Sequence, residues 1–362
     1  MRSFFISFLL GLSLFASAQQ QTPYRVIAYY TGNGSAIRQF PVSRLTHIIC
    51  SFLPVRGDTL CFADSNQEKS VLQIVALKKE YPNLKVMVSI GGWGGCGYCS
   101  ALFSTAAQRE SFSKLAVAFF RRTGIDGLDL DWEYPAIEGY PGHLYTPQDK
   151  DNFTALVRSL RKEMGKDFQL SFAAGGFKSY VDASIDWDNV MPEVDFVNLM
   201  TYDLVNGYSR VTGHHSPLGG KDIPVESVRH CVEQLLAKKC DPSKLIVGAA
   251  FYARIWDSVP PVNHGLYQSG HFRQSLSYRD FGKVLTDSAG FRFYWDKKVQ
   301  APYCYSEAKG WFATFDDVRS VIAKSAYVRK NKLGGVMFWQ LPEDLPSGGL
   351  TEAIADELNK RP

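Results

Sequence analysis

The stretch Gly124–Pro135 reads GIDGLDLDWEYP and places four carboxylates, Asp126, Asp129, Asp131 and Glu133, within eight positions. Leu128, Leu130 and Trp132 alternate with the last three. Side chains on a β-strand point alternately to opposite faces, so Asp129, Asp131 and Glu133 share one face and the apolar set shares the other. Three carboxylates this close cannot all ionise freely, because like charge and partial burial raise the pKa of some of them. A carboxyl that keeps its proton near neutral pH is what a general acid requires. A solvated acidic edge does not fit the apolar alternation. A metal site would want His or further carboxylates at other strand ends, and the sequence places none there, so neither metal nor cofactor is expected.

The elements that must hold this strand repeat along the chain. Candidate strands fall at 25–31, 47–52, 85–92, 127–133, 169–175, 194–203, 245–253 and 334–340. Helical patterns lie between them, among them 108–124, which ends on Gly124 as a helix often ends on glycine, and 152–165. Strand and helix alternating eight times imply a parallel sheet, and closure at eight gives a (β/α)8 TIM barrel. The apolar face of 127–133 then packs under helices, while the carboxylates point at the axis with Glu133 at the C-terminal mouth. Active sites of such barrels lie at that mouth. About 80 residues separate the seventh and eighth candidate strands, more than one helix needs. The aromatic-rich section 256–311 predicts a small α+β insertion on the rim.

The bulk composition is compatible with this plan. The 362 residues are 45% hydrophobic and 14% aromatic, enough for one large core. The net charge of +4 comes without a long run of one sign, so neither nucleic acid nor an anionic membrane is expected as a partner. Arg2, the apolar run Phe4–Phe15 and Ala16-Ser17-Ala18 have the form of a secretory signal peptide over 1–18, cleaved near Ala18. The run is too short for a membrane anchor. The mature chain, 19–362, is therefore expected outside the cell or in a periplasm, as a soluble monomer. Export permits disulfides, and of the seven cysteines Cys96 and Cys99 stand closest, in GGWGGCGYCS. A local structural disulfide is expected there. A redox C-x-x-C lacks its context, and zinc lacks two further ligands.

DGLDLDWEYP (126–135) strongly resembles the D-G-x-D-x-D-x-E signature of glycoside hydrolase family 18, the chitinase family. SIGGW (89–93), LTHIICSF (45–52), VDFVNLMTYDL with VTGHHSPL, FYAR (251–254) and GGVMFW (334–339) resemble further strands of that family, so the resemblance covers nearly the whole mature chain. The section with FYWDKKVQAPY resembles the α+β insertion of the subgroup with deep clefts. The resemblance implies a secreted chitinase that hydrolyses β-1,4 bonds between N-acetylglucosamine units, with the substrate's own acetamide as nucleophile. It implies Glu133 as acid and base, Asp131 orienting the acetamide, Asp129 sharing a proton with Asp131, and Tyr202 bonding the acetyl oxygen. Trp339 becomes the floor under the −1 sugar. Tyr29, Phe52, Tyr134, Met200, Asp203, Tyr252 and Arg254 line the same pocket, and Trp93 stacks on the +1 sugar. Asp126, Gly127, Ser89, Gly91 and Gly92 support the motif.

The sequence departs from the pattern in places. Many relatives carry a tryptophan after the first strand as a platform for distal sugars, and here Asn33 stands near that position. Ala253 replaces a commoner glycine. His214 and His215 read as structural loop residues. Two other activities fit the motif: an endo-β-N-acetylglucosaminidase acting on N-glycan cores, and a lectin that binds chitin oligomers without cutting. The presence of Glu133, Asp131 and Tyr202 argues against the lectin.

Overall fold

The computed structural model describes residues 24–221, 223 and 225–360, so the signal-peptide segment lies outside the described residues. Eight parallel strands close into a barrel: Arg25–Tyr30, His47–Cys50, Lys85–Gly91, Gly127–Asp131, Gln169–Gly175, Phe196–Met200, Leu245–Ala250 and Gly335–Trp339. The first strand pairs with the eighth and the second, and the fourth lies across the barrel from the eighth. This is a (β/α)8 barrel, as the alternation predicts.

Two apolar layers fill it. The outer layer joins strand residues such as Leu128 and Leu130 to helix residues such as Phe112, Ala116 and Phe120. Those last three stand on one face of the helix Ala106–Thr123. The Thr105 side chain caps that helix at the Gln108 N–H, and Gly124 ends it at φ 74°, where its N–H bonds the Phe120 carbonyl. Burying each large side chain in this layer contributes roughly 1.5–3 kcal/mol. The inner layer lies on the axis and includes Ile27, Tyr29, Ile49, Met87, Phe196, Ile246 and Met337.

Several strands are shorter than the sequence suggests. The fourth ends at Asp131, the sixth at Met200 and the seventh at Ala250. Glu133, Tyr202, Asp203, Tyr252 and Arg254 therefore sit just past the barrel strands rather than on them. The cause is pairing: beyond these points the backbone turns to new partners. Phe251 still donates to the Trp339 carbonyl at 2.8 Å, whereas Tyr252–Asp257 pairs antiparallel with His271–Ser277. The peptide bonds Ser51–Phe52, Glu133–Tyr134 and Trp339–Gln340, at the exits of the second, fourth and eighth strands, are cis.

Between the seventh and eighth barrel strands stands a five-stranded antiparallel sheet, running from Tyr252–Asp257 to Trp311–Thr314 in sequence. One face packs Ile255, Phe291, Cys304 and Phe315 with the residues around the short helix Phe281–Val284. The other packs Trp256, Tyr303, Tyr305 and Phe312. Its bounds are wider than 256–311 because the sheet begins immediately after the barrel strand ends. No helix among the described residues is long and apolar enough to cross a membrane.

Candidate active site

The alternation of the acidic strand holds in three dimensions. Leu128, Leu130 and Trp132 join the outer layer, and Asp129 and Asp131 are buried on the opposite face. Asp126, at the strand's entrance, accepts the Val86 N–H at 2.8 Å and pairs with Lys78 at 3.0 Å, which ties the third strand to the fourth. Gly127 has no room for a side chain, because a Cβ would strike the backbone of Gln169 in the fifth strand.

Asp129 is fully enclosed by donors. Tyr29 donates to it at 2.8 Å, Ser89 at 2.9 Å, Ser171 at 2.6 Å and Asn198 at 3.1 Å. Burial raises its pKa, and these four hydrogen bonds oppose the rise. Ser171 and Asn198 were not singled out from sequence. The available signal is parity: each is a polar residue at an inward position of an otherwise apolar strand.

Asp131 is the opposite case. It is 3% exposed, and its Oδ1 has no hydrogen-bond partner among the described residues. Its pKa is pushed well above the usual carboxylate range by burial first, then by Glu133 and Asp129. No hydrogen bond joins Asp129 to Asp131 among the described residues, because Asp129's oxygens are engaged by four other groups. The two carboxyls are coupled electrostatically. Glu133 follows at the mouth, with its pKa pushed up to about 7 by burial. The Tyr134 hydroxyl opposes that rise, and Asp203 adds to it.

Gly91 and Gly92 allow this close approach. Both have positive φ; a Cβ on Gly91 would strike the Asp131 carbonyl, and one on Gly92 would strike the Phe52 ring. The floor of the mouth is aromatic. Trp339 has Tyr29 beside it at 5.7 Å and Phe52 stacked on it at 5.6 Å. Met200 packs against the same inner group. Tyr202 is buried there, edge-on to Tyr252 at 6.3 Å, and its hydroxyl makes a weak contact with the Met337 sulfur at 3.9 Å. That hydroxyl stays protonated, because burial and then Asp131 and Glu133 raise its pKa.

The opposite wall carries a cation. Arg254 grips Asp203 with two hydrogen bonds, at 2.7 and 2.5 Å, and lies over the Tyr252 ring. Burial alone would raise the Asp203 pKa, but His215 and Arg254 hold it well below the usual range. His215 Nδ1 lies 3.6 Å from Asp203 Oδ1, beyond good hydrogen-bond distance, and burial lowers the His215 pKa against the pull of Asp203. His214 points away from the mouth, to Asp296 at 3.2 Å. Trp93 stands on the rim, 47% exposed, near Tyr134, Tyr140 and Tyr208. Tyr140 and Tyr208 were not singled out from sequence, since lone tyrosines in loops carry no pattern. Tyr134 packs inward on Phe177 and Tyr180, at 5.4 and 5.3 Å. Cys96 and Cys99 are joined by a disulfide beneath this rim, and Cys50, Cys61, Cys231, Cys240 and Cys304 are free thiols.

A barrel mouth with two carboxyls of raised pKa, one of them with an unpartnered oxygen, and an aromatic floor agrees with a comparison of the whole chain. The family described as glycosyl hydrolases family 18 matches residues 25–344. The chain belongs to that family. Chitinase A1 of Niallia circulans is 32% identical over 79% of this family 18 chain, which spans 46% of that relative's length. Chitotriosidase-1 of Mus musculus is 30% identical over 92% of the chain and 76% of its own length. Among solved structures, a family 18 N-acetylglucosaminidase from Paenibacillus barengoltzii superposes with a TM-score of 0.82 at 33% identity, over 92% of this chain and 99% of that one. The family 18 chain thus has the fold, the acidic strand and the aromatic mouth on one scaffold.

Proposed function

We propose that the protein hydrolyses β-1,4 bonds between N-acetylglucosamine units of chitin or chitooligosaccharides, with retention of configuration. The substrate sits with its −1 ring over Trp339. Glu133 gives its proton to the glycosidic oxygen as the bond to C1 breaks. The acetamide carbonyl oxygen of the same ring attacks C1 and closes an oxazolinium ion. Asp131 accepts the acetamide N–H, and the Tyr202 hydroxyl donates to the acetyl oxygen. Water then adds to C1 and gives its proton to Glu133, which restores the acid and leaves a β product.

The observation that carries this reading is the Oδ1 of Asp131. A buried carboxylate oxygen left without a partner costs about 1–3 kcal/mol, which a folded chain tolerates where a ligand supplies the missing donor. An acetamide N–H is such a donor. The chitinases among the relatives support the substrate class. The Paenibacillus barengoltzii structure, named an N-acetylglucosaminidase, favours a second reading in which single sugars are released from the same polymer. Export completes the proposal, on the signal-peptide form of the N-terminal sequence.

The test is a timed digest of chitin hexaose by the mature chain. Shorter N-acetylglucosamine oligomers are the expected products. Hexaose bound but uncut would favour a lectin. Hexaose uncut while a high-mannose glycopeptide is cleaved would favour an N-glycan endoglycosidase.

A further inference from the structure

A second carboxylate at the mouth, besides Asp131, keeps an oxygen open. Glu343 closes the short 3₁₀ turn Leu341–Glu343, which follows the eighth strand directly after Trp339 and Gln340. Its Oε2 is buried and has no hydrogen-bond partner among the described residues. Its Oε1 accepts the Gln340 amide at 3.2 Å.

The turn holds that side chain in place. Leu341 is fully buried in the outer layer, and Arg279 donates to the Pro342 carbonyl at 2.8 Å. Asp344 is 1% exposed and accepts the Leu350 N–H at 2.9 Å and the Thr351 N–H at 2.8 Å. With the backbone fixed on both sides, Glu343 stays near the charged wall of Asp203, Arg254 and Arg279. Neither cation closes on it. Arg254 directs its donors to Asp203 and, at 2.8 Å, to Ser275, and Arg279 directs its own to the Pro342 carbonyl. Burial pushes the Glu343 pKa up to about 7, with Gln340, Arg279 and Arg254 opposing the rise and Asp203 adding to it. An ionised carboxylate oxygen accepts and cannot donate, so the partner it lacks is an O–H or N–H group.

The place of the turn decides which part of a ligand brings that group, on the function proposed above. The −1 ring lies over Trp339, and Glu133 leaves the fourth strand across the barrel. Glu133 protonates the bond to the leaving sugars. The retained sugars therefore continue from the −1 ring on the other side, past the exit of the eighth strand. The next sugar, at −2, meets the turn that carries Glu343. Its hydroxyl and acetamide groups are donors of the kind the open oxygen lacks.

We infer that Glu343 is a substrate-binding residue whose Oε2 accepts a hydrogen bond from the −2 sugar and so anchors the retained part of the chain. This rests on the function proposed above and adds a residue that makes the rate depend on the length of the retained chain.

The 4-methylumbelliferyl glycosides of one, two and three N-acetylglucosamine units test it, because the leaving group stays the same while the retained chain grows from −1 to −3. Glu343→Leu keeps the bulk and removes the acceptor. Its kcat/KM should fall about tenfold on the di- and trisaccharide glycosides, the loss of one hydrogen bond to a charged group. On the monosaccharide glycoside, followed with enzyme in excess, it should be unchanged. Glu343→Gln keeps an acceptor and should regain most of the loss. An equal fall on all three glycosides would put the effect at the −1 ring or in the fold, and an unchanged rate on the disaccharide glycoside would remove the contact. Either result would overturn the inference while leaving the hydrolysis itself standing. No release from any of the three by the unaltered protein would overturn both.

Discussion

Two buried acidic clusters in this molecule are built on opposite terms. Behind the mouth, Asp316 is held by Lys324 at 2.6 Å, Ser216 at 3.0 Å, Ser320 at 2.6 Å and the Ala250 N–H at 3.0 Å. Lys324 and Asp316 are both fully buried, and Lys324 also donates to Ser216 at 2.6 Å. Burial lowers the Lys324 pKa, and Asp316 opposes the drop. This cluster ties the exit of the seventh strand and the loop after the sixth to the helix Val318–Lys330. At the mouth, by contrast, Asp131 keeps an oxygen without a partner, beside two more carboxyls whose pKa values are raised. The first cluster meets the cost of burying charge within the fold. The second leaves that cost open for a ligand to meet, and such a site is where chemistry is expected.

Removing the mouth acid gives the largest expected effect. Glu133→Gln keeps the shape but not the proton, so turnover of hexaose should fall by about 10²–10⁴-fold while oligomer binding persists. Retained turnover would erase the distinction between the clusters.

Breaking the satisfied cluster should act on stability instead. Lys324→Met leaves Asp316 as an uncompensated buried charge and should cost about 3–5 kcal/mol by denaturant unfolding. The double variant Lys324→Met, Asp316→Leu should lose less than the single one. An equal or greater loss would mean that the pair matters for more than mutual neutralisation.

Unfolded Glu133 gives up its proton near 4.5 and folded Glu133 near 7. Between these values folding retains a proton that the unfolded chain has lost, so this group's contribution to stability falls as pH rises through the window. The difference corresponds to about 3 kcal/mol. Glu133→Gln should therefore be more stable than the unaltered chain at pH 8 by up to that amount and about equal at pH 4. Two parallel stability profiles would contradict the assignment. The alkaline limb of kcat/KM should fall near pH 7 for the same reason, and that limb should be absent from the residual activity of Glu133→Gln.

The contrast also explains what could be read from sequence. The barrel and the acidic strand were legible because each depends on a local period: strand and helix in turn, and apolar and acidic residues in turn. Glu133 was assigned to a strand that stops at Asp131, because alternation cannot show where a backbone changes partners. Arg254 fell just after a candidate strand of the barrel and belongs to the antiparallel sheet for the same reason. Ser171 and Asn198 meet Asp129 only through closure of the barrel, which brings residues 42 and 69 positions away into one hydrogen-bonded group. Asp316 and Lys324 are eight residues apart in sequence, but their burial depends on the loop at Ser216, 100 positions from Asp316. Nothing in a linear pattern marks such a pair.

The central claim is that Asp131's open oxygen serves a substrate whose own acetamide performs the displacement. Anomer-resolved proton NMR during the first minutes of hexaose hydrolysis tests it most directly, before mutarotation mixes the products. The account predicts that new reducing ends appear as β anomers and convert to α only later. New ends appearing first as α would mean that water attacks C1 directly, and the role assigned to Asp131 would be wrong.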